Sequence, residues 1–259
     1  MSYETLVVET VDRFIGVITL NRPQQFNTFN TPLALELNKA LEVMEADPEI
    51  RVVLLKGAGK NFCAGIDVSE LTGKSAMELR SWIQRMEEPL VTLSRMAKPV
   101  IAQVQGVAAA NGAGLVAAAD LAIAADNAKM GLTAINVGLN CVGPVVPVSR
   151  LVGRKIALEM LLYGNLITAP DALSKGLINR VVPAADLDKE ALEWAGVLAQ
   201  KSPIAVQIAK RGFYDSEDMV YEKAFAHMNE VFARLCTTED AKEGVDAFFQ
   251  KRPPVWQKR

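Results

Sequence analysis

The segment 4–23, ETLVVETVDRFIGVITLNRP, holds two short apolar runs around a polar Asp12-Arg13 pair, the second stopped at Asn21-Arg22-Pro23 where proline withdraws a backbone donor. A β-hairpin is expected. After NTFNTP the period changes: Leu33, Leu37, Ala40, Leu41 and Met44 fall on one face of a helix, with Asn30 or Thr31 as its cap, Pro32 in its first turn and an end near Ala46-Asp47-Pro48. RVVLLKG (51–57) is a continuous apolar run of the kind a strand buried on both faces shows, and PVIAQVQG and DLAIAAD repeat it. A helical stretch over roughly 75–96 separates the first two of these runs. Strands alternating with helices imply an α/β layer with right-handed crossovers.

Beyond Arg154 the texture changes. No strand run longer than LINRVV occurs there, while AADLDKEALEWAGVLAQ, PIAVQIAKRGFY, EDMVYEKAFAHMNEVFARL and TTEDAKEGVDAFFQKR all carry helical periodicity. The expected organisation is a core over 1–200 and a C-terminal helical region over 201–259, without a linker or an internal repeat.

Composition narrows the partners. A net charge of −2, with both signs spread along 259 residues, provides no field to draw nucleic acid or an anionic membrane. The greasiest region, 100–125, is interrupted by Gln103, Gln105, Asn111 and Asp120, so no membrane span is expected. Cys63, Cys141 and Cys236 have unrelated spacings and no clustered histidines, which argues against a disulfide framework and against a metal site. Acidic residues stand where an export leader needs a basic and then an apolar run, so a cytoplasmic setting is expected.

Two glycine-containing turns follow buried strands, GKNFCAGID and GVAAANGAGL. Backbone N–H groups of such turns can hold an anion at the carboxyl ends of strands, and two side by side would make an oxyanion hole. The same small residues equally serve tight packing. Between Gly106 and Ala119 no side chain ionises, so this loop can stabilise charge but cannot move protons.

In order and spacing, NRPQQFNTFN, NFCAGIDVSEL, KPVIAQVQGVAAANGAGLVAAADLAIAAD, ALEMLLYGNLITAPDALSKGLINRVVP and EGVDAFFQKRPPVW resemble the crotonase (enoyl-CoA hydratase/isomerase) superfamily, over essentially the whole chain. The resemblance implies an α/β fold, a spiral of ββα units with perpendicular sheets and a C-terminal helical trimerisation region. It implies a homotrimer or a dimer of trimers. It implies an acyl-CoA thioester substrate, coenzyme A entering as part of that substrate and no cofactor bound tightly. The thioester oxygen would be held by the N–H groups of Ala64 and Asn111, the latter standing where the family has glycine. Ala64, Ile66, Phe248 and Lys251 would lie along the coenzyme A moiety.

The departure is in the proton carriers. The family's two hydratase glutamates match Gly114 and Ala134, and a general acid and base are worth ~10²–10⁴ each. Ordinary water addition is therefore expected to be nearly lost, and restoring both glutamates is expected to raise it. Nearby substitutes are Asn136, Asn140 and Cys141, whose plain readings are turn residues and a packed thiol. Asp67 reads as a helix cap, the lone His227 as a packed or interface residue, and Glu87 and Glu88 as solvated acids unless one turns inward. Three readings stay open: an enolate-stabilising enzyme running another reaction such as decarboxylation, a hydratase or isomerase on an unusual CoA ester with substituted carriers among Asn136, Cys141 or Glu88, and an inactive CoA-ester binding paralogue.

Overall fold

The computed structural model describes residues 3–257. Strands β1 (Leu6–Val11) and β2 (Ile15–Leu20) pair antiparallel, Leu6 opposite Leu20 and Val11 opposite Ile15. Asp12 and Arg13 turn the chain at φ of 50° and 66°, the left-handed geometry a tight hairpin needs. Helix α1 (Thr31–Ala46) starts where the sequence places it: the Asn30 side chain accepts from the Leu33 N–H at 3.0 Å, and Leu33, Leu37, Ala40, Leu41 and Met44 are all buried.

The chain then alternates through β3 (Val52–Gly57), α2 (Ala76–Arg95) and β4 (Val100–Val104). A capping box joins Ser75 and Glu78 at the start of α2, and Pro89 within it offers no N–H to the Arg85 carbonyl. Next come β5 (Val107–Ala109), α3 (Asn111–Ala118), β6 (Leu121–Ala125), β7 (Lys129–Gly131) and α4 (Val145–Tyr163), the last broken at Gly153 with φ 75°. Strand β8 (Ile167–Thr168), helix α5 (Ala169–Ser174), strand β9 (Arg180–Val182) and helices α6 (Leu187–Ala199), α7 (Pro203–Ser216), α8 (Tyr221–Cys236) and α9 (Glu239–Gln250) complete the chain.

Two sheets result. Six strands run in the order β1-β2-β3-β4-β6-β9, parallel from β2 onward, and three short ones run β5-β7-β8. Every side chain of β4 is buried, as the uninterrupted apolar run requires, and α1 and α6 pack against the large sheet. The small sheet escapes sequence reading, because two or three residues cannot display a period. Its strands nonetheless frame the loop of interest: β5 leads into α3, and a bridge joins Cys63 to Ala108.

Candidate functional site

The two glycine turns lie against each other. The Ala109 N–H donates to the Cys63 carbonyl at 2.8 Å and the Cys63 N–H to Val107 at 3.1 Å. Gly65 and Gly112 permit the approach: a Cβ on Gly65 would stand 2.9 Å from that of Ala110, and one on Gly112 only 2.1 Å from the Cys63 carbonyl oxygen. Gly65 also needs φ 109°, which glycine alone adopts freely. Asn27, fully buried, holds the approach to the first turn by donating to the carbonyls of Ala58, Asn61 and Phe62. Neither its burial nor these partners were visible in NRPQQFNTFN.

The amide inventory corrects one expectation. The Ala64 N–H donates to the Phe26 carbonyl at 3.0 Å, so it is committed to the fold and not offered to a ligand. Gly65 O accepts from Phe29 and the Asp67 N–H donates to Phe29 O, so the intervening Ile66 is bridged to Phe29 while its own N–H makes no hydrogen bond among the described residues. The Asn111 N–H opens helix α3 and belongs to the first turn, where backbone donors lack helical acceptors. Left-handed backbone falls not on Asn111 but on Ala110, at φ 49° and ψ −115°. The Asn111 side chain turns away from the turn and donates to the Met86 carbonyl of α2 at 3.2 Å.

Asp67 caps the short helix 68–71, accepting from the Ser69 N–H at 3.3 Å and hydroxyl at 2.6 Å, and pairs with Arg22 at 3.1 Å. The Ser69 hydrogen bond first, and Arg22 after it, hold its carboxyl below the ordinary aspartate range. Glu70 accepts from Trp82 Nε1 at 2.7 Å and from both the N–H and the hydroxyl of Thr31, tying α1 and α2 to the first turn.

Several of the expected carrier positions meet at the turn 139–144: Asn140 and Cys141 belong to it, the Leu139 N–H donates to the Ala134 carbonyl and Pro144 packs on Gly114. A Cβ on Gly114 would stand 2.8 Å from Leu90 and 3.0 Å from Pro144, so the room a glutamate there would need is occupied. Burial pushes the Cys141 thiol up, against a smaller pull from a hydrogen bond with the Ala134 backbone; it stays protonated, which removes it as a base. Asn140 accepts from the Cys141 N–H at 2.8 Å, and Asn136 donates to the Gly164 carbonyl at 3.0 Å, so both amides shape the backbone. Glu88 is half-buried and 3.8 Å from Arg95. Glu87 turns inward instead, its carboxylate against Gly143, and burial holds its carboxyl above the ordinary glutamate value.

Phe248 and Lys251 stand apart from these groups. Helix α9 packs on α7 and α8, and Phe248 lines an apolar cleft with Leu235, Val245 and Trp256. His227, on α8, has a buried Nε2 with no hydrogen-bond partner. Among the described residues no three His, Cys, Asp or Glu side chains gather to hold a metal ion, and no helix is long and apolar enough to cross a membrane.

The family described as Enoyl-CoA hydratase/isomerase matches residues 11–259. The chain is 35% identical to the mitochondrial enoyl-CoA hydratase domain-containing protein 3 of Xenopus laevis, over 99% of this chain and 87% of that protein. It is 36% identical to a mevalonyl-coenzyme A hydratase of Beauveria bassiana, over 93% and 90%. The crystal structure of an enoyl-CoA hydratase from Mycobacterium smegmatis superposes with a TM-score of 0.94 at 38% identity, covering 97% of this chain and 98% of that one. Human enoyl-CoA hydratase domain-containing protein 3 does so with 0.94 at 32%, covering 98% and 100%. With one family matched from the first hairpin to the C-terminus and its fold reproduced through both sheets and the C-terminal helices, the chain belongs to the enoyl-CoA hydratase/isomerase family, of crotonase fold.

Proposed function

We propose that the chain binds an acyl-CoA thioester with its carbonyl oxygen between the N–H groups of Ile66 and Asn111 and stabilises the enolate that forms there. One observation carries this reading: two abutting turns present uncommitted amides, while the neighbouring amide of Ala64 is spent on Phe26. Losing one such donor typically costs ~3 kcal/mol of transition-state stabilisation. The reaction is one that dispenses with paired glutamates, since Gly114 and Ala134 supply none and the space beside Gly114 is filled by Leu90 and Pro144. Decarboxylation of a malonyl-type CoA ester meets this condition. The bond from the α-carbon to the carboxylate breaks, its electron pair becomes the enolate, carbon dioxide departs, and the α-carbon then takes one proton.

The names of the relatives favour a second reading, hydration of an unusual CoA ester, and the fungal mevalonyl-CoA hydratase is an example of one. In both readings Phe248 and Lys251 remain proposed contacts of the coenzyme A moiety, the chain assembles as a trimer or a dimer of trimers, and it works in the cytoplasm. Incubation with malonyl-, enoyl- and 3-hydroxyacyl-CoA esters, with products read by mass, separates the readings. The expected result is conversion of a malonyl-type ester to the shortened acyl-CoA, with crotonyl-CoA hydrated far below ~10 s⁻¹, the middle of the ordinary enzyme range. Ordinary hydration of crotonyl-CoA would overturn the primary reading, and tight binding without turnover of any ester would make the chain a binding paralogue.

A further inference from the structure

We infer that Glu87 of α2 is the catalytic proton carrier of this site, delivering a proton to the α-carbon of the enolate or removing one from it; the inference rests on the acyl-CoA reading above. Its placement is specific. An added Cβ on Gly143 would stand 1.7 Å from Glu87 Oε1, 2.2 Å from Cδ and 2.8 Å from Oε2, so the carboxylate reaches this backbone only because residue 143 is glycine. The next residue, Pro144, packs on Gly114, and the preceding one on α2, Met86, accepts from the Asn111 side chain at 3.2 Å. Glu87 thus follows the residue whose carbonyl holds the Asn111 side chain, and its carboxylate lies against the turn whose Pro144 packs on Gly114.

Elimination points the same way. Asn136 and Asn140 spend their side chains on the backbone, Cys141 is a protonated thiol, Glu88 faces Arg95, and Tyr214 donates to Asp120 at 3.1 Å. Among the described residues the Glu87 carboxylate has no hydrogen-bond or ion-pair partner, although it lies at the edge of a cleft of about 630 Å³. The charged groups of that cleft answer to one another. Arg150 of α4 pairs with Glu217 at 2.8 Å and Asp218 at 3.2 Å, and Arg211 of α7 donates to the Arg95 carbonyl at 2.9 Å. Arg95 and Asp215 complete the set. Burial alone lifts the carboxyl above 4.5, toward the range where one group serves as both acid and base. After a proton leaves for the enolate, the open cleft lets solvent return another.

Exchange of the α-protons of butyryl-CoA in deuterium oxide, followed by mass, isolates this step, because the carboxylate takes one proton, a deuteron returns, and nothing leaves. The wild type should exchange, with a rate that rises as pH rises through an inflection above 4.5, the carboxylate being the active form. Glu87→Gln should lower the rate at least ~100-fold and abolish the pH limb, with butyryl-CoA affinity held within about threefold, and Glu87→Asp should restore part of it. Gly143→Ala, which displaces the carboxylate without altering it, should lower the rate as well. Exchange at the wild-type rate in Glu87→Gln overturns the assignment. So does a wild type that binds butyryl-CoA yet does not exchange, whereas a wild type that binds no CoA ester at all brings down the acyl-CoA reading itself.

Discussion

Ala110 holds φ 49° and ψ −115°, a region glycine visits freely and an L-residue enters at ~1–3 kcal/mol. It is kept there by its N–H bond to the Gly131 carbonyl at 2.8 Å and by contact with Gly65, and it sets the direction in which α3 begins. Ala110→Gly should therefore raise the unfolding free energy by ~1 kcal/mol, relief of strain exceeding the ~0.4–1 kcal/mol that glycine adds to unfolded-chain entropy. A lowered urea midpoint at unchanged slope would show that the strain is not there. The sequence marked this turn as special by its small residues but could not show that the unusual backbone falls on Ala110, because the exact residue depends on where β5 ends. The resemblance put Ala64 rather than Ile66 in the hole, and no local pattern shows that the Ala64 amide is taken by the Phe26 carbonyl, in a turn far upstream. Gly114 and Ala134, which the resemblance matches to the family's glutamates, were legible directly, whereas the packing of Leu90 and Pro144 on Gly114 was not, and a side chain at 114 would have to displace the end of Leu90.

At the scale of elements, the first turn is clamped between two helices by one carboxylate. Glu70 takes hydrogen bonds from Thr31 at the start of α1 and from Trp82 on α2. Burial raises its pKa, but these hydrogen bonds outweigh burial and hold it below 4.5. A carboxyl lowered on folding stabilises the native state fully above its unfolded value and loses that contribution as pH falls through the folded value. Wild-type stability should accordingly drop as pH falls below 4.5, and Glu70→Gln, which cannot titrate, should be less stable at pH 7 by ~1–3 kcal/mol and show a shallower drop. Parallel acid profiles of urea midpoint for the two proteins would refute the clamp. Elements long enough to show a period, such as α1, α2, β3 and β4, were legible in the sequence. LINRVV was not resolved by pattern, since pairing with β6 holds only Arg180–Val182 while Leu177 and Ile178 are buried ahead of it.

At the scale of the whole molecule, helix α7 is fastened to the core by one buried cation. Lys210 Nζ meets Asp120 at 2.7 Å and the carbonyls of Leu93 and Lys98 at 3.0 Å each, reaching β6 and the end of α2 together. The helices beyond it are less covered. Phe225 and Phe232 of α8 are 58% and 65% exposed, and Phe248 and Phe249 of α9 are 77% and 76% exposed. Aromatic side chains arrayed this way on adjoining helices are what a subunit interface buries, and a stable one removes ~1,200–2,000 Å² of surface from water. The proposed trimer or dimer of trimers should appear in light scattering at micromolar concentration as three or six times the 28.1 kDa chain mass. Phe225→Glu together with Phe232→Glu should shift that mass toward a single chain, because two carboxylates would have to be desolvated to close the interface. The helical content of the variant should stay at the wild-type value, since both side chains face outward and Lys210 still anchors the helices. A wild-type mass of one chain would remove the assembly, and an unaltered oligomer in the double variant would move the interface to another face.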